Sequence, residues 1–153
     1  NEAINDGFDQ IMWLDACEHR FIEEAGLMNI FFRIDNTVVT PSLTGTILAG
    51  ITRDSILTLT RDWGMAVEER KLAIEEIIEA SNCGQLKEAF GVGTGAVIVP
   101  IRRIKYLEHN ILISNVEGQS LANKLRQTLT GIQYGENEDP RNWMVPIIQQ
   151  SVC

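Results

Sequence analysis

Two acidic residues and two glycine–threonine stretches hold the groups that can do chemistry together. Glu23-Glu24 ends a strand-like run before Ala25-Gly26. Adjacent strand residues face opposite ways, so one carboxylate can enter a pocket while the other meets solvent. A buried carboxylate is costly unless a cation meets it, so an inward Glu24 asks for a positively charged partner. The alternative is that both are solvated. Gly50-Ile51-Thr52 precedes the amphipathic run Ile56, Leu57, Leu59 and Trp63. Thr52 reads as a helix N-cap, and Gly50 lets the backbone turn tightly and approach a ligand. Orphan N–H groups and the positive dipole end make such a start an anion site, against the alternative of a capped helix that binds nothing. Gly93-Thr94-Gly95 offers a second set of open N–H groups and a hydroxyl. Together the two stretches can hold one phosphate from two sides. Neither is a Walker A loop, since no Gly-Lys-Ser/Thr follows. Gly91-Val92-Gly93 is not a dinucleotide fingerprint either, since position 96 is Ala and a strand signal follows.

The elements that must position these groups follow from periodicity and breakers. The opening residues to Gly7 read as the tail of a helix. Strands are predicted over Asp9–Asp15 (buried, with polar ends), Arg20–Glu24, Met28–Ile34 and Thr37–Thr40, with a Thr/Ser/Gly-rich loop over 41–49. A helix runs Thr52–Trp63, ended by Gly64. Ala66–Arg70 alternates as a strand with one solvent face. Ala73–Ser81 is a helix whose Ile74, Ile77 and Ile78 form the apolar side. Leu86–Phe90 leads through Gly93-Thr94-Gly95 to a strand over Ala96–Pro100. Ile101–Tyr106 and Asn110–Ile113 form a hairpin. Ser120–Thr130 is a helix with Leu121, Leu125 and Leu129 at spacing four, ended by Gly131. The reading is α+β or α/β, with many short strands, about three substantial helices and no internal repeat.

At 153 residues and 44% hydrophobic the chain is one globular domain. No apolar run approaches a membrane span, and no signal-peptide pattern opens the sequence. The start at Asn1 suggests a fragment or a processed product. A net charge of −8 argues against a nucleic-acid surface. Cys17, Cys83 and Cys153 share no close spacing, so neither a disulfide framework nor a zinc site is expected, and a reducing cytoplasm fits. His19 and His109 lack partners at metal-ligand spacing.

Four blocks in order resemble the branched-chain amino-acid aminotransferases, pyridoxal-phosphate enzymes of fold type IV. They are Glu24-Ala25-Gly26-Leu27-Met28-Asn29-Ile30-Phe31-Phe32; Thr40-Pro41 through Gly50-Ile51-Thr52-Arg53; Phe90-Gly91-Val92-Gly93-Thr94-Gly95; and Leu129-Thr130-Gly131-Ile132-Gln133-Tyr134-Gly135, with Trp143 beyond. The last block favours this family over D-amino-acid aminotransferases and aminodeoxychorismate lyases. The resemblance implies the C-terminal, cofactor-binding domain of the D-amino-acid-aminotransferase-like fold, a pseudo-barrel of short strands flanked by helices. It implies Glu24 at the pyridine nitrogen of pyridoxal 5′-phosphate, the cation that an inward carboxylate needs. Leu48 would lie on the ring, Gly50, Ile51 and Thr52 at the phosphate, and Thr94 opposite them. Gly93, Thr94 and Gly95 would border the substrate carboxylate. Gly95 departs mildly from the Ala usual in relatives, and Ala96 and Val99 stand where mammalian members carry a redox cysteine pair. Lys71, Lys87, Lys105 and Lys124 match no catalytic position, so the family's catalytic lysine is expected upstream of Asn1, together with a small N-terminal domain. The implied reaction exchanges leucine, isoleucine or valine with 2-oxoglutarate in a homodimer or larger assembly. The alternative is an inactive fragment that serves as a structural or binding module.

Overall fold

The computed structural model describes residues 2–95, 97–113 and 120–145. In chain order it contains α1 (Glu2–Asn5), β1 (Met12–Leu14), β2 (Ile22–Ala25), β3 (Met28–Ile34), β4 (Thr37–Pro41), α2 (Ile51–Asp62), β5 (Ala66–Arg70), α3 (Ile74–Asn82), β6 (Leu86–Gly93), β7 (Val97–Pro100), β8 (Arg103–Tyr106), β9 (His109–Leu112) and α4 (Leu121–Gln133). The expectations for Ala96 and Cys153 lie outside the described residues.

β3 is the central strand of a seven-stranded sheet. One edge pairs antiparallel with β6 from Asn29↔Val92 to Ile34↔Leu86. The other edge is shared by β2 near Met28 and β4 near Ile34. β5 joins β4 in parallel. A parallel pair needs a crossover, and α2 supplies it. α2 therefore starts beyond the C-terminal end of β4. β8 and β9 form the separate hairpin expected from the sequence.

The period-2 alternation of β3 and β6 divides the core. Phe31, Phe90 and Val92 face one way and pack with Ile56 and Leu57 of α2 and Leu121 and Leu125 of α4. Phe31 and Phe90 are cross-strand partners and stack with centroids 5.5 Å apart. Ile30, Phe32 and Ala89 face the other way, against Ile74 and Ile77 of α3 and Ile104 and Ile111 of the hairpin. Both faces are covered, which makes the middle of β3 almost continuously apolar. No helix among the described residues is long and apolar enough to cross a membrane.

Several boundaries differ from the sequence reading, each for a local reason. β1 covers only Met12–Leu14, and Trp13 is half exposed rather than buried, its Nε1 donating to the Gly26 carbonyl at 3.0 Å. β6 runs on through Gly91 to Gly93, because these residues pair with β3 on one side and β7 on the other; a Cβ at Gly91 would meet the Met28 side chain at 2.8 Å. α4 does not stop at Gly131 but continues to Gln133. The tail folds back on that glycine: Glu136 and Asn137 N–H donate to its carbonyl at 2.7 and 3.0 Å, and the Asn137 amide occupies the space of a Cβ. Ser120, read from the sequence as the first helical residue, is instead the N-cap of α4 and accepts from the Asn123 N–H.

Between β1 and β2, Asp15 organises the turn. Its carboxylate accepts the N–H groups of Arg20, Phe21, Glu18 and Cys17 at 2.7 to 3.2 Å. These bonds, led by that of Arg20, hold the Asp15 carboxyl well below the usual carboxylate range. A lowered native pKa stabilises the fold above the unfolded value, and that stabilisation is lost as pH falls through the native value. Asp15→Asn is therefore expected to flatten the fall of stability on acidification below about pH 4, read by denaturant unfolding across a pH series.

Candidate functional site

The site is built where β2, β3 and the start of α2 meet. Glu24 and Asn29 are direct partners across the β2–β3 ladder and lie on one face of it. Asn29 is buried and its Nδ2 donates twice, to Glu24 Oε1 at 3.3 Å and to the Leu48 carbonyl at 2.8 Å. The Leu48 N–H donates to the same Glu24 Oε1 at 3.1 Å. Both bonds to the Glu24 carboxylate fall on Oε1, so Oε2 has no partner among the described residues. Leu48 is thus clamped at both its N–H and its carbonyl, while its side chain is 71% exposed beside the carboxylate. Glu23 is occupied differently, accepting from Thr46 Oγ1 at 2.6 Å.

The helix start differs from expectation. Gly50, not Thr52, is the N-cap of α2; its carbonyl accepts from the Asp54 N–H at 3.1 Å, and no side chain caps the helix. Thr52 is the second helical residue, so its hydroxyl is placed beside the first-turn N–H groups rather than ahead of them. Position 50 takes a glycine because a Cβ there would stand 2.4 Å from Asn29 Oδ1. The close approach that the sequence suggested at Gly50 is made, but to a buried amide. The result is a twelve-residue helix with an uncapped N-terminus and an 85% exposed Ile51 at its mouth.

Gly93 ends β6, one residue past Val92, the cross-strand partner of Asn29. Its nearest non-adjacent side chain is Met28. Thr94 and Gly95 form the exposed turn between β6 and β7. Register thus carries the second Gly-Thr stretch past the row of Glu24, Asn29 and Val92. Direct bonds and contacts join Glu24, Asn29, Leu48 and Gly50; Ile51 and Thr52 follow on the helix; Gly93, Thr94 and Gly95 lie beyond the row, at the end of β6 and in the turn after it.

Asn29 lies within the family-like block Glu24–Phe32, and the resemblance gives it no role of its own. The signal available is a polar residue on the alternation phase of Phe31, within the run of apolar residues that precedes Arg33 in β3. A cavity of about 690 Å3 lies on the opposite face of β2 and β3, lined by Ala25, Ile30, Met12, Ile101 and Tyr106, and is separate from the Glu24 carboxylate. The described residues contain no cluster of His, Cys, Asp or Glu suited to a metal ion.

The arrangement fits a planar cationic ring that carries a phosphate. It offers a carboxylate with one oxygen fixed and one open, an exposed apolar side chain beside it, and uncapped helix N–H groups next to both. The model of the class IV amino-transferase family matches residues 1–104. Branched-chain-amino-acid aminotransferase 2 of Bacillus subtilis is 48% identical over 145 residues, covering 95% of this chain and 40% of the relative. The crystal structure of the Escherichia coli branched-chain amino acid aminotransferase aligns with a TM-score of 0.76 at 30% identity, covering 93% of this chain and 43% of that one. The Thermobaculum terrenum branched-chain aminotransferase, solved in its PLP form, aligns with a TM-score of 0.69 at 29% identity, covering 89% and 41%. The chain belongs to the class IV aminotransferase family, with the mixed α+β fold of these structures. It spans about two-fifths of the length of the curated relatives it matches.

Proposed function

We propose that this chain is the cofactor-binding portion of a branched-chain amino-acid aminotransferase that uses pyridoxal 5′-phosphate. The observation that carries the reading is the Glu24 carboxylate, fixed at Oε1 and open at Oε2, beside the uncapped start of α2. When bound, the cofactor supplies a protonated pyridine ring that accepts the electron pair released at the substrate Cα. Glu24 holds the proton on the ring nitrogen by its negative charge. Leu48 would lie against the ring and keep water from it. The N–H groups at Ile51 and Thr52, with the Thr52 hydroxyl, would hold the phosphate, and Thr94 in the β6–β7 turn would hold it from the other side. Gly93 and Gly95 leave room for the substrate carboxylate.

The lysines of the chain are engaged away from this site. Lys71 lies over Phe21, Lys87 donates to the Gly84 carbonyl, Lys105 pairs with Asp6, and Lys124 lies over Trp63. The catalytic lysine is therefore assigned to the part of the relatives that this chain does not span. A cytoplasmic homodimer or larger assembly completes the proposal.

The test uses the full-length protein: cofactor absorbance, and amino transfer from leucine, isoleucine and valine to 2-oxoglutarate. Activity with all three supports the reading; equal activity with D-alanine, or none with any, overturns it. Thr52→Ala in that protein is expected to weaken cofactor affinity about tenfold, the worth of a hydrogen bond to a charged group, with a smaller effect on the saturated rate. Unchanged affinity would remove Thr52 from the phosphate site.

A further inference from the structure

The Glu24 carboxylate is held by neighbours, and one of them also reaches the helix start. We infer that Asn29 is the positioning residue of this site: its single buried amide fixes Glu24 toward the ring nitrogen and, through Leu48 and Gly50, sets that carboxylate at a fixed distance from the phosphate end of α2. The inference rests on the cofactor reading above.

Three contacts carry it. Asn29 Nδ2 bridges Glu24 Oε1 and the Leu48 carbonyl, so one group ties strand β2 to the loop before α2. Leu48 returns its own N–H to the same Glu24 oxygen, which closes a ring of three residues. Asn29 Oδ1 fills the space where any side chain at position 50 would begin, so the amide also seats the N-cap. Asn29 is only 6% exposed, and β3 holds it between Glu24 and Val92 on the two neighbouring strands. A buried amide with this many partners has one orientation that satisfies them. Asn29 touches no reacting atom. It acts by holding Glu24 Oε1, which leaves Oε2 without a bond among the described residues, and by packing against Gly50 at the start of α2.

The test is a double-mutant cycle in the full-length holoenzyme, comparing wild type, Asn29→Ala, Glu24→Gln and the double variant. Readouts are kcat and KM with leucine, the absorption spectrum of the bound cofactor, and the cofactor dissociation constant. Asn29→Ala is expected to lower kcat by about tenfold or more, the worth of a hydrogen bond to a charged group. It should raise the cofactor dissociation constant and move the spectrum toward that of Glu24→Gln, while changing KM for leucine less than kcat. In the Glu24→Gln background the same substitution should change kcat and the spectrum little, because the group it positions is already neutral. Effects on kcat that simply multiply would overturn the inference, since they assign Asn29 an independent structural role. So would a wild-type spectrum and kcat in Asn29→Ala when Glu24→Gln is impaired; that outcome leaves the cofactor reading standing. A wild-type spectrum and kcat in Glu24→Gln overturns the cofactor reading itself. If Asn29→Ala does not fold, Asn29→Asp, which keeps the shape and loses both donations, must show the same shift of the spectrum; a wild-type spectrum there overturns the inference.

Discussion

Glu24→Gln in the full-length enzyme is expected to lower kcat by roughly a hundredfold, the typical cost of removing one preorganised electrostatic contact from an active site. The fold should be nearly unaffected. The Leu48 N–H and the Asn29 Nδ2 both bond Oε1, and a glutamine carbonyl at that position accepts them as a carboxylate oxygen does. The remaining amide nitrogen then stands where Oε2 was, and it carries no negative charge to keep a proton on the ring nitrogen. The damage falls on the chemical step, so KM for the amino acid should move less than kcat. Steady-state kinetics with leucine and 2-oxoglutarate, alongside a thermal melt, separate the two effects. Unchanged turnover in a folded, cofactor-loaded variant would remove Glu24 from its assigned role.

What the sequence made legible divides along a physical line. Elements set by local pattern are readable: the strand β3, the apolar side of α3 and the β8–β9 hairpin fall close to expectation. The cost of burying a carboxylate says only that an inward Glu24 needs a cation; its placement and its role come from the ordered blocks of family resemblance. Neither exposes partners that strand register brings together. Asn29 meets Glu24 and Leu48 only because β2 and β3 pair at one register and the loop before α2 returns to it. Glu88 meets Arg33 across 55 residues of chain for the same reason. Local rules also failed where a distant side chain filled the space. Thr52 satisfies the capping preference, yet the cap is Gly50, where only a glycine fits against the Asn29 amide. Gly131 reads as a stop, yet it lies inside α4, where the returning Asn137 needs the missing Cβ.

Glu88→Ala is expected to give the largest loss of stability of the substitutions considered, about 3–5 kcal/mol, the usual cost of removing one partner from a buried ion pair. Glu88 is 2% exposed in the middle of β6 and has three partners. Arg33 Nη1 donates to Oε1 at 3.1 Å, the Leu121 N–H to Oε1 at 2.9 Å, and the Ala122 N–H to Oε2 at 3.0 Å. The carboxylate thus serves a cation and also caps the first turn of α4, where negative charge meets the positive end of the helix dipole. Truncation to Ala leaves the Arg33 guanidinium without its buried partner and two helix N–H groups without an acceptor. Glu88→Gln keeps the volume and one acceptor oxygen, so it should cost less, about 1–3 kcal/mol. The ordering Ala worse than Gln, measured by guanidinium unfolding, distinguishes loss of the bonding network from loss of charge alone. A cost below about 1 kcal/mol for Glu88→Ala, the scale of an exposed pair, would show that the pair and the cap add nothing beyond surface electrostatics. The consequence reaches the site, because α4 and α2 share one apolar layer through Leu121, Leu125, Ile56 and Leu57. A carboxylate that fixes the start of α4 therefore also steadies the helix that follows the Glu24-bonded loop.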